Sequence, residues 1–156
     1  MNKMIAVLSV VIAIVTVVRA SDAPVAASKE VKSALMSAIS TSFDALIEEY
    51  EKVPEQERTD ELFVCLGTAF SEEALLFLES MSPEEYWRQS SDEEVKVLFR
   101  GFCKKALPKA KAALAELRKE VDMEKALERY VTERQRGFAE RYQKVVARAM
   151  PYRPKK

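Results

Sequence analysis

The chain has 156 residues, 25 basic and 25 acidic side chains, two cysteines and no histidine. That length suits one domain with one hydrophobic core. The missing histidine excludes Ser-His and Cys-His nucleophile pairs, histidine general bases, and the histidine-containing zinc and di-iron sites.

Residues 1–20 read as a secretory signal peptide. Lys3 supplies a positive start, Met4–Val18 is a 15-residue apolar and small-residue run, and Val18 and Ala20 stand at the small-residue positions before a cut ahead of Ser21. A membrane-spanning helix needs roughly 20 apolar residues, so cleavage is favoured over a retained anchor. The reading predicts a secreted, extracellular chain whose mature form has no integral membrane segment. Residues 21–28 form a small-residue linker. The sole asparagine, Asn2, falls inside the leader, so the mature chain lacks an Asn-linked glycosylation site.

Beyond the linker, helix formers dominate, apolar residues recur at helical spacing, and Asn-Gly and Asp-Gly hairpin signals are absent. The sequence predicts an all-α fold, a single bundle of about five helices over 29–150. The first runs from Lys29 to Lys52, with Val31, Leu35, Ile39, Phe43, Leu46, Ile47 and Tyr50 on its apolar face and Pro54 beyond its end. The second starts at Thr59 or Asp60 and reaches Met81. Ser82-Pro83-Glu84-Glu85 has the form of a capping box and predicts a short helix to Gln89.

Ser91-Asp92-Glu93-Glu94 repeats that device and opens a longer helix. Its buried side is Val95, Leu98, Phe99, Phe102, Ala106, Ala110, Leu114 and Leu117, and Pro108 predicts a kink or split near Ala106–Leu107. Asp122 caps a last helix over Met123–Ala149, ended by Pro151. Residues 151–156 form a short, basic, disordered tail.

Cys65 and Cys103 are the only cysteines. In an oxidising compartment an isolated pair predicts one inter-helix disulfide. A redox role would want a C-x-x-C pair, which is absent.

The even charge balance hides an asymmetry. Residues 21–99 carry 18 acids and 6 bases, net −12, while residues 100–156 carry 7 acids and 17 bases, net +10. Acidic helices lying beside basic ones would neutralise each other; otherwise the basic half meets an acidic partner or an anionic surface. On the third long run Arg100, Lys104, Lys111 and Arg118 share one helix face. These are the surface-binding candidates, directed at an acidic protein, an anionic glycan or a lipid headgroup; export argues against nucleic acid.

Glycine-rich phosphate loops, nucleophile elbows and EF-hand loops are missing. Adjacent carboxylates such as Glu48/Glu49 and Glu84/Glu85 point in different directions on a helix and read as solvated surface. The chain is therefore predicted to be a non-enzyme without metal or cofactor. A second binding device is the set of core aromatics. Phe63, Phe70 and Phe77 repeat every seven residues, and Phe99, Phe102 and Phe138 face inward on other helices. A core filled this way either packs on itself or leaves a cavity for an apolar small molecule of the fatty-acid or retinoid type. Tyr86-Trp87 reads as a lid over the core.

In size, helicity and export the chain resembles the small secreted helical fatty-acid- and retinol-binding proteins of parasitic nematodes. The resemblance covers no specific motif and carries no residue across. It implies a helical carrier, and the leading expectation is a secreted protein holding an apolar ligand between its helices. The alternative expectation is a secreted effector or antigen that works through its basic C-terminal half.

Overall fold

The computed structural model describes residues 29–88 and 91–155, with side chains described from Ser40 onward. The expected leader and linker, residues 1–28, lie outside the described residues, as do Gln89, Ser90 and Lys156. The described chain forms four α-helices: α1 (Lys29–Glu51), α2 (Asp60–Ser80), α3 (Asp92–Leu117) and α4 (Met123–Ala149). Single 3₁₀ turns occupy Glu55–Glu57, Glu85–Trp87 and Met150–Tyr152. Among the described residues there is no strand, so the all-α class stands.

Three of the helix starts are fixed by a side-chain cap. Thr59 Oγ1 accepts from the Leu62 amide at 3.1 Å, Ser91 Oγ from Glu94 at 3.3 Å, and Asp122 Oδ1 from Lys125 at 3.2 Å. Each satisfies an amide that the helix leaves open and is worth about 1 kcal/mol. Acids in the first turns, Asp60 and Glu61 on α2 and Asp92, Glu93 and Glu94 on α3, complement the helix dipole.

Helix α2 is the centre of the bundle. Every residue from Leu62 to Ser71 is buried, the mark of a helix apolar on all sides and wrapped by others. Its two buried hydroxyls satisfy themselves locally: Thr68 donates to the Val64 carbonyl and Ser71 to the Gly67 carbonyl, both at 2.9 Å. Helix α3 packs along α2, α4 covers another side of α2, and α1 lies chiefly on α3.

Side-chain pairs give the directions. Glu73 meets Lys109 while Phe77 meets Phe102, so α2 and α3 run antiparallel. Glu72 meets Arg134 and Glu79 meets Arg141, so α2 and α4 run parallel at a constant offset of 62 residues.

Three expectations need correction. First, the described residues form four α-helices rather than about five. The stretch opened by Ser82 makes only a tight turn, in which the Glu85 amide donates to the Ser82 carbonyl and the Arg88 amide to the Glu85 carbonyl, both at 3.0 Å. Too few residues follow the cap to offset the cost of nucleating an α-helix.

Second, of the kink or split expected near Ala106–Leu107, the split does not occur: α3 runs through Pro108 as one helix. Pro108 and Lys104 are both exposed, so water can satisfy the carbonyl that the proline leaves without its amide partner. Buried Cys103, Ala106, Ala110 and Leu114 hold the helix on either side.

Third, Cys65 and Cys103 form no disulfide; both are free, buried thiols. The helices that carry them do pack together, but out of register. Cys65 lies level with the second half of α3 and Cys103 sits in the first. The axial gap is on the order of 10 Å at 1.5 Å per residue, beyond the Cα span of about 7 Å that a bridge tolerates. They also face different neighbours: Cys65 lies near Tyr130 and Arg118, Cys103 near Glu48 and Glu49.

Candidate interaction site

The six candidate phenylalanines fall into separate ring clusters. Phe63 meets Phe43 and Tyr50 edge-on, with centroids at 6.0 and 5.1 Å. Phe70, fully buried, meets Phe99 at 5.4 Å and Phe102 at 5.9 Å. Phe77 tilts over Phe102 at 5.6 Å and is 37% exposed. Phe138 lies apart on α4, stacked on Tyr142 at 6.2 Å.

Edge-to-face pairs at these separations fill space and add about 0.5–1.5 kcal/mol each beyond burial. The rings thus pack on one another at these points between the helices. A small cleft exists elsewhere, at the C-terminal ends of α2 and α4, lined by Leu78, Met81, Tyr86, Val145, Arg148 and Ala149. Its volume is about 10 Å³, room for roughly one water.

Charge is organised more distinctively. Four ion pairs join the acidic half of the chain to the basic half: Glu48–Arg100 at 3.6 Å, Glu72–Arg134 at 2.5 Å, Glu73–Lys109 and Glu79–Arg141. Neutralisation across helix contacts thus accounts for part of the asymmetry. The Glu79–Arg141 pair is two-pronged, with Nε at 3.1 Å from one carboxylate oxygen and Nη2 bonded to the other. Hydrogen bonding from Arg141 holds the Glu79 carboxyl below its ordinary range and raises the guanidinium in turn.

Of the surface candidates on α3, Arg100 is therefore tied to Glu48. Lys104, Lys111 and Arg118 are exposed and form no ion pair among the described residues. The same outward stripe includes Val97, Gly101, Pro108 and Ala115, interleaved with the bases at three- and four-residue steps. Val97 is 64% exposed. An added Cβ at Gly101 would meet nothing within 4 Å. The only acid between Val97 and Arg118 is Glu116, which lies off the stripe and pairs with Lys119 at 3.0 Å.

Sequence reasoning missed these small residues because it scored charge alone; the seven-residue repeat of Gly101, Pro108 and Ala115 was the available signal. It also missed how Tyr86 and Trp87 act. Tyr86 OH and Tyr142 OH share a hydrogen bond at 2.8 Å, and Trp87 Nε1 donates to the Ala149 carbonyl. The start of the expected loose tail is ordered against this pair: Met150–Tyr152 make a 3₁₀ turn, and the Arg153 guanidinium lies 5.9 Å from the Trp87 ring centre.

Nucleophilic chemistry finds little support. Burial pushes the Cys65 thiol up to about 11 and the Cys103 thiol up to about 12, so neither yields a thiolate near neutral pH. Among the described residues no group of three metal-ligating side chains comes together, and no helix is long and apolar enough to cross a membrane. The chain matches no protein-family model, no curated protein and no solved structure.

Proposed function

We propose that this chain is an exported, non-enzymatic interaction protein that binds an anionic partner through the outer face of α3. The observation that carries the reading is a contrast between cations. Arg134, Arg141 and Lys109 each have a carboxylate from α2, whereas Lys104, Lys111 and Arg118 have none among the described residues. Solvated cations gathered on one face, without a carboxylate partner among the described residues, steer and orient an oppositely charged surface. Export rests on the N-terminal leader pattern. The other reading, an apolar ligand between the helices, would have to part Phe70 from Phe99 and Phe102 before anything could enter.

The test compares the mature chain with the triple variant K104E/K111E/R118E on an immobilised polyanion such as heparin. The proposal expects the parent chain to be retained at physiological salt and the variant to flow through, with unchanged thermal unfolding. Co-elution of the two would refute it. Retention should weaken as salt rises, because exposed charges are screened within about 8 Å at physiological ionic strength.

A further inference from the structure

We infer that the element docking on this face is an acidic α-helix of a partner protein, with carboxylates seven residues apart; the inference rests on the binding face proposed above. Lys104, Lys111 and Arg118 are themselves seven apart, which spaces them about 10.5 Å from one another along the axis. Arg118, although it ends α3, keeps helical backbone angles (φ −67°, ψ −17°), so it stays in phase.

The bundle already contains the complementary arrangement. On α2, Glu72 and Glu79 are seven apart, and they meet Arg134 and Arg141 of α4, also seven apart, across a parallel helix contact. Two helices thus read each other through a heptad of charge inside this protein. The outer face of α3 presents the basic half of such a contact with the acidic half missing among the described residues.

The residues between the bases favour a helix as occupant. Gly101, Pro108 and Ala115 repeat at the same seven-residue interval and leave low ground between the longer side chains. Open space over Gly101 admits the ridge of an approaching helix, and small residues are what let helix axes come close. Exposed Val97 adds an apolar contact at the start of the stripe. A bilayer surface would use a row of wedging apolar side chains beside the cations, and Val97 stands alone in that role on this stripe.

The test uses two helix-prone peptides of identical composition. One carries Glu every seventh residue, the other carries the same Glu residues at five-residue intervals. Fluorescence anisotropy against the mature chain reads affinity, and circular dichroism reads helix gained on binding. The expected result is binding of the heptad peptide at least about tenfold tighter than the other, a difference of about 1.4 kcal/mol, with helicity induced and with loss of binding in K104E/K111E/R118E. A reversed pair, Lys111→Glu against a peptide with its central Glu changed to Lys, should restore affinity.

Equal binding of the two peptides overturns the helix while leaving an anionic-surface site. Binding to heparin alone overturns it in favour of a glycan. Concentration-dependent self-association that the triple variant abolishes, with no peptide binding, makes a second copy the occupant and overturns it as well. Failure of peptides and heparin alike overturns the site itself.

Discussion

The indole Nε1 of Trp87 donates to the main-chain carbonyl of Ala149 across 2.7 Å, joining positions 62 residues apart. Ala149 is the last residue of α4, so its carbonyl has no partner inside the helix. The tryptophan supplies one from outside, while Arg153 lies over its ring. Trp87→Phe keeps an aromatic body and deletes the donor. We expect a loss of about 1 kcal/mol, a fall in Tm of about 3 °C for a chain this size. Tm unchanged within error would show that water replaces the indole at no cost.

The two cysteines should behave as inert thiols. Because burial raises both well above the usual thiol range, a thiol-reactive chromogen at pH 8 should label neither in the native chain. Both should be labelled on unfolding in guanidinium. Reducing agent should leave Tm unchanged. If unfolding without reductant released no thiols, the cysteines would be bridged and the α2–α3 register described above would be wrong.

Acid should loosen α4 from α2. The folded Glu79 carboxyl titrates below its unfolded value because Arg141 hydrogen-bonds its charged form. Its contribution is therefore fully present above the unfolded value, near pH 4.5, and is lost as pH falls through the depressed folded value. Both partners are partly exposed, so the contribution is limited to about 1 kcal/mol or less. Glu79→Gln should lower stability at pH 7 and flatten the stability curve below pH 5. Identical acid limbs for variant and parent would remove Glu79 from the account.

Gly137 offers a gain. It sits in the interior of α4, and an added Cβ would touch nothing within 4 Å. Alanine should therefore recover helix propensity and stabilise by about 0.5–1 kcal/mol, read as a higher urea midpoint with an unchanged slope. A lower midpoint would mean that the glycine is needed for a close contact.

Phe70 tests the packing of the aromatic core. Phe70→Ala should cost about 3–5 kcal/mol, since the ring is fully buried against Phe99 and Phe102. A fluorescent fatty-acid probe should not bind the parent chain stoichiometrically at micromolar concentration. Saturable one-to-one binding with the fold intact would favour a carrier over a surface binder.

Periodicity carried the helix assignment well, because each amphipathic run is long and three of them begin at a side-chain cap; Asp122, Leu127, Phe138 and Val145 sit where spacing alone puts them. It failed where the outcome depends on how far one helix slides along another. Cys65 and Cys103 are each legible as buried helical residues, yet whether they touch depends on the α2–α3 register, which no single helix encodes. At Pro108 the local cost was legible, but the packing of Ala106 and Ala110 that keeps α3 in one piece was not. Of the candidate face, the bases were visible from sequence. That Arg100 has a partner in Glu48, whereas Lys104 has none among the described residues, needed coordinates.

The charge ladder between α2 and α4 is ambiguous by itself. Arg134, Arg141 and Arg148 repeat every seven residues against Glu72 and Glu79. Sliding α4 by seven residues, about 10.5 Å, would pair Arg141 with Glu72 and Arg148 with Glu79 and keep two rungs intact. Electrostatics therefore holds these helices together without choosing between two stops of the same vernier. The aromatic clasp makes the choice, because only one stop brings Tyr142 to Tyr86 and the end of α4 to Trp87. The 3₁₀ turn that failed to become a helix is thus the index mark of the bundle: the buried stripe of Leu127, Val131, Phe138 and Val145 holds α4, the ladder adds to that hold, and the clasp marks where it stops.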